Sequence, residues 1–158
     1  MKNTFIAAAF LLTGFTGHAF AEDTDKQVVA SDPDSVLAYF EDLGAPAKLS
    51  KDKVGDPQIE IQYYGTKMVL FFYGCQDGQN CNSLQFFSGY TADHELTLEG
   101  VNTWNSKQRY GRAYIADDGR KMLEYDIYTG QDGVSQTDFD EIFDAWTQVL
   151  KSFESALS

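Results

Sequence analysis

The chain has 158 residues, 24 of them acidic and 12 basic, for a net charge of −12. Such a balance repels nucleic acid and anionic lipid, which argues against both as partners. Of its two histidines, His18 lies in the N-terminal segment and only His94 remains beyond it, so no multi-histidine metal site fits within one chain.

The chain starts with Met1 and Lys2, then an apolar run from Phe5 to Phe15 broken only by Thr13 and Gly14. Ala19-Phe20-Ala21 follows as a small-x-small site, with Glu22-Asp23 directly after it. This is the layout of a secretory signal peptide cleaved after Ala21, which predicts a periplasmic or secreted protein. The apolar run covers about 11 residues, too short for a hydrocarbon core that needs ~20. Stable membrane insertion is therefore not expected. No cysteine follows the site, so lipoprotein processing is not expected either. Removing residues 1–21 takes away one lysine and no acid, leaving about 137 residues with a charge of about −13. That length suits one domain, read here as 32–158, with residues 22–31 as a flexible polar lead.

Asp32-Pro33 reads as an N-cap followed by proline at the first helical position. Val36, Leu37, Phe40 and Leu43 keep helical spacing until Gly44, predicting a helix from about Pro33 to Leu43. Ala47–Asp52 is a candidate short strand, and Lys51–Pro57 a turn. Ile59–Tyr64 alternates like a strand with one polar face. Lys67–Tyr73 is nearly all apolar and is expected as a central strand buried on both faces. Ser83–Tyr90 is the next strand, completing an antiparallel meander.

Between the last two strands lies Cys-Gln-Asp-Gly-Gln-Asn-Cys. In an exported protein, Cys75 and Cys81 at this spacing read as a disulfide stapling a hairpin loop. The spacing is not that of a Cys-x2-Cys redox or metal pair.

Thr91–Asp93 is expected to cap a second helix over about Glu95–Lys107, with His94 solvated at its start. Arg109–Ala116 and Lys121–Tyr128 read as two strands joined by the tight turn Asp117-Asp-Gly-Arg120. Ser135 caps the last helix, whose stripe is Phe139, Ile142, Phe143, Trp146, Val149, Leu150, Phe153 and Leu157. Asp138, Asp140, Glu141 and Asp144 crowd its positive end, which suits the helix dipole; they lack the spacing of an EF-hand. The predicted order is α-β-β-β-α-β-β-α, with a fourth strand before the second helix if Ala47–Asp52 pairs. Runs of strands followed by helices make this an α+β fold with an antiparallel sheet.

Four stretches carry a family resemblance: Val101-Asn-Thr-Trp-Asn105, Arg109-Tyr-Gly-Arg-Ala-Tyr114, Asp117-Asp-Gly119 and Leu123-Glu-Tyr-Asp126. Together with Gly133-Val134-Ser135 they resemble the YbjN family, bacterial proteins labelled as sensory transduction regulators. The resemblance covers about residues 33–155. The chain differs from the family in its expected export and in the Cys75/Cys81 loop. The family is similar in fold to type III secretion chaperones, small acidic proteins that hold extended segments of partners and are often dimeric. The resemblance therefore implies a non-enzymatic binding or regulatory module with a protein or peptide partner and no cofactor or metal.

The candidate site residues come from the same block: Asn102, Trp104, Asn105, Arg109, Tyr110, Arg112, Glu124 and Asp126. In a structural reading, Trp104 packs the second helix on the sheet, and Asn102 and Asn105 bond free backbone at the helix end and next strand. Arg109 or Arg112 then pairs with Glu124 or Asp126 across the hairpin. In a functional reading these charges share one exposed face with tyrosines. Arg109 and Arg112 are three apart, so a regular strand sends them to opposite faces, whereas Glu124 and Asp126 share one. The pairs Tyr63-Tyr64, Phe71-Phe72 and Phe86-Phe87 place one member of each on either face, so a helix-free face would be aromatic and suit a partner or a second copy. A small-ligand sensor is the rival reading. Catalysis has only Glu124 and Asp126 to offer as acid–base groups.

Overall fold

A computed structural model of the protein describes residues 26–157. The predicted leader, residues 1–21, and the start of the 22–31 segment lie outside the described residues.

The elements run β1 (Gln27–Val28), α1 (Pro33–Asp42), β2 (Ala47–Lys51), β3 (Pro57–Tyr63), β4 (Thr66–Tyr73), β5 (Ser83–Tyr90), α2 (Leu98–Asn105), β6 (Arg112–Ile115), β7 (Lys121–Tyr128), β8 (Val134–Ser135) and α3 (Gln136–Ala156). Strands β2 to β7 form one antiparallel sheet in the order β2-β3-β4-β5-β7-β6. The fold is α+β, as expected, and Ala47–Lys51 does pair, giving four strands between the first two helices. The segment expected to be loose is built into the fold over 27–30. Gln27–Val28 pair with Val134–Ser135, and Val28 and Ala30 are buried. The apolar Val28-Val29-Ala30 triplet offers burial that outweighs the polar composition around it.

Helix α3 behaves as its stripe predicts: Ser135 Oγ accepts from Asp138 N–H at 3.0 Å, and Phe139, Phe143, Trp146, Val149, Leu150 and Phe153 are buried. Trp146 stacks on Phe86 of β5 with ring centroids 5.3 Å apart, and its Nε1–H points at Met68 Sδ of β4. Phe40 of α1 meets Phe86 and Phe143 edge-on, so α1 and α3 close over the same sheet face. Helix α2 stands at the β6 edge, where Trp104 packs edge-on against Phe153.

Two expectations fail locally. Helix α2 begins at Leu98, with Thr97 Oγ1 accepting from Gly100 N–H, instead of being capped at Thr91–Asp93. His94 accordingly precedes the helix and lies half-buried, with Nδ1 3.2 Å from the Leu157 carbonyl. Strand β4 is central in the sheet but is buried on one face only: Met68, Leu70 and Phe72 are covered, while Val69 and Phe71 are half-buried. All seven residues from Lys67 to Tyr73 read as one run, yet alternation in a strand still splits them between two faces.

Candidate functional site

Among the described residues, no helix lies over the second face of the sheet. The register aligns its side chains in rungs across the strands. One rung reads Lys48, Glu60, Val69, Phe87, Glu124, Arg112 from β2 to β6. The next carries Gln58, Phe71, Gln85 and Asp126. Phe71 and Phe87 meet edge-on, centroids 5.6 Å apart, which makes an apolar centre with charged ends.

Two hydrogen-bonded groups hold this face. Glu124, only 8 % exposed, pairs with the Arg112 guanidinium and accepts from the Tyr114 hydroxyl at 2.6 Å. Gln85, also 8 % exposed, donates Nε2–H to Asp126 Oδ1 at 2.7 Å and accepts from the Tyr73 hydroxyl at 3.4 Å. A buried carboxylate is costly unless paired, and Glu124 meets that condition through two donors. Burial and the bond to Glu124 push the Tyr114 phenol up to about 12. Burial, then the charges of Glu124 and Asp126, also raise that of Tyr73. The hydrogen bond it donates to Glu124 raises the Arg112 guanidinium above its ordinary value, so it stays charged. Tyr73 and Tyr114 therefore present neutral hydroxyls and exposed rings at physiological pH.

The sequence block separates into three places. Arg112, Glu124 and Asp126 share the open face. Asn105 instead locks the free edge of β6: its Nδ2 donates to Ala113 O and its Oδ1 accepts from Ala113 N–H, both at 3.0 Å. That side chain takes the backbone bonds a further strand would otherwise make. Trp104 is buried on Phe153 and donates Nε1–H to Ser152 Oγ at 3.1 Å, while Asn102 is exposed on α2. Arg109 and Tyr110 precede β6 and do not join the open face. The Arg109 guanidinium lies 5.0 Å over the Tyr110 ring, which meets Tyr125 at 5.5 Å beside α3.

Gly111 is what separates Arg109 from Arg112. It adopts φ +76°, and a Cβ there would lie 2.6 Å from Val149 Cγ1, so the chain reverses where α3 passes closest. Sequence reasoning left out Tyr73, Gln85 and Tyr114 as partners of the acidic pair. The signal for them was strand parity, which needs the register before it can be used.

Between β4 and β5, the Cys75–Cys81 disulfide closes the connecting loop, with Cα atoms 3.8 Å apart. At the opposite end of the open face is a cleft of about 630 Å³ bounded by β2, β3, β4, β5 and Arg120. Glu124 and Asp126 are both committed to hydrogen bonds, and the described residues include no group of three or more His, Cys, Asp or Glu placed to hold a metal ion. No helix among the described residues is long and apolar enough to cross a membrane.

The search of curated proteins returned no match. A solved structure titled "Crystal structure of YbjN, a putative transcription regulator from E. coli" superposes with a TM-score of 0.55 at 12 % identity, over 82 % of this chain and 91 % of that one. The fold is thus shared at a level of identity that speaks for architecture alone. The family described as "Putative bacterial sensory transduction regulator" matches residues 32–158, and the chain belongs to that family, YbjN.

Proposed function

We propose that this protein is an exported, non-enzymatic regulatory module that captures an extended segment of a partner protein on its open sheet face. At family level a regulatory or binding role is given by the match over residues 32–158. The observation that carries the finer reading is the helix-free face, where Phe71 and Phe87 sit between charged ends and the polar groups beneath are already satisfied by one another. A face built this way can bury apolar side chains of a partner without stranding its own donors and acceptors. The leader-like residues 1–21 and the disulfide loop support export. Charge favours a foreign partner over a second copy, because two chains of −12 repel each other. A segment with apolar and basic residues complements the face best.

The commitment of Glu124 and Asp126 to Arg112, Tyr114 and Gln85 supports a non-enzymatic reading, since these are the acid–base candidates. The test is a photo-crosslinking amino acid placed at Phe71, Tyr73 or Tyr114, with Lys151 on the exposed side of α3 as the control position. Expression of the full chain in a Gram-negative host should give adducts to a discrete partner from the first three positions and none from the control. Adducts containing only this chain would replace the reading with a homodimer. Equal adducts at the control position would overturn it.

A further inference from the structure

The cleft at one end of the open face differs from the aromatic centre in depth and in charge. Its floor is Val69 and Phe87 with the bare backbone of Gly89 between them and the β6–β7 turn. A Cβ on Gly89 would meet Met122 Sδ at 3.3 Å and the Phe87 ring at 3.4 Å, so the missing side chain is what gives the cleft its depth. One wall is fixed by Lys121, whose Nζ donates to the Ala92 carbonyl at 2.8 Å and holds the Thr91–Ala92 loop in place. The volume of about 630 Å³ falls within the ~300–1,000 Å³ of small-ligand sites.

Its lining carries three basic side chains, Lys48, Lys67 and Arg120, and one carboxylate, Glu60. Lys48 stands opposite Glu60 in the β2–β3 register, and Arg120 is bonded to Asp118 through Nε at 2.7 Å. Neither Lys48 nor Lys67 makes an ion pair among the described residues, and Lys67 lies opposite the neutral Gln62. On a chain of −12 this leaves the cleft lining with an excess of positive charge, and Lys67 faces no acid across the β3–β4 pair beside the apolar notch. The geometry points to a site for a single-chain amphiphile bearing one negative charge, an acyl carboxylate, with its head at Lys67 and its chain over Val69, Phe87 and Gly89. This goes beyond partner capture: it shares Phe87 with the aromatic centre but uses none of Phe71, Arg112, Glu124 or Tyr114.

The probe is a series of saturated carboxylates, octanoate, decanoate and dodecanoate, titrated below their micelle concentrations into the protein expressed as the full chain. Affinity should rise by roughly fourfold per methylene until the notch is filled. Dodecyltrimethylammonium should bind at least tenfold more weakly than dodecanoate. Lys67→Glu should weaken dodecanoate by roughly tenfold while leaving the unfolding midpoint unchanged. Gly89→Leu, which fills the notch, should abolish the chain-length dependence. Equal binding of the cationic amphiphile, no dependence on chain length, or dodecanoate affinity unchanged in both variants would each overturn the assignment. Photo-adducts at Phe71 that persist in Lys67→Glu would show that failure of one site is not failure of the other.

Discussion

Alternate residues of the same strands build both faces of this sheet, yet the two faces are held by different forces. The covered face is a nearly all-aromatic contact between sheet and helices: Phe86 stacks on Trp146 and meets Phe40, Phe139 and Phe143. The open face keeps its aromatics at the surface and ties them down through Glu124 and Gln85. Hydrophobic burial accounts for the first and satisfied polar groups for the second. Stability therefore belongs mainly to one side and availability to the other.

The sharpest way to break that division is a pair of neighbours in β5. Phe86→Ala should cost about 3–5 kcal/mol, the range for a fully buried phenylalanine. Phe87→Ala, half-buried on the other face, should cost about 1 kcal/mol or less. Denaturant unfolding of both variants measures the difference, and equal losses would mean that the open face is also core. Next in size is the loop at the end of the open face. Reducing Cys75–Cys81 removes a seven-residue closure worth about 2–2.5 kcal/mol, so the melting temperature should fall while the circular-dichroism spectrum stays folded. An unchanged melting curve in fully reduced protein would contradict this.

At the β6 edge, Asn105→Ala should cost about 1–3 kcal/mol, because the Ala113 N–H and C=O lose their partner. Hydrogen exchange at the Ala113 amide should speed up locally. The smallest effect is one of pH. The Tyr114 phenol is raised above its ordinary value of 10.0 to about 12, so the folded state holds its proton more tightly than the unfolded chain. Its contribution is complete below pH 10 and is lost as pH rises through about 12. Glu124→Gln should bring the tyrosinate absorbance change of Tyr114 to lower pH, which an ultraviolet titration against Tyr114→Phe would isolate.

Much of the covered face was legible in the sequence. The helical stripe from Phe139 to Phe153 and the Ser135 cap are local signals, and they hold. The Asp117–Arg120 turn marks the β6–β7 hairpin, but the sequence left Arg109 or Arg112 open to either Glu124 or Asp126, and the register selects Arg112–Glu124. The open face was harder to see. Residues 68–73 look uniformly apolar, and only the β3–β4–β5 register shows that Val69 and Phe71 point away from the helices. The pairing of β5 with β7, which brings Gln85 opposite Asp126, joins residues 41 apart and leaves no local mark. The spacing of three already set Arg109 and Arg112 apart, but it did not show that Gly111 keeps Arg109 out of β6 altogether and beside α3. The pairing of β1 with β8 was hidden in the same way, by a contact between the two ends of the domain.

One variant tests the division of labour most directly. Phe87→Ser, measured for both unfolding free energy and photo-adduct yield from position 114, should lose most of the partner adduct while giving up only about 1–2 kcal/mol of stability. Adduct yield equal to that of the unsubstituted protein, with the fold intact, would show that the open face is not where this protein meets its partner.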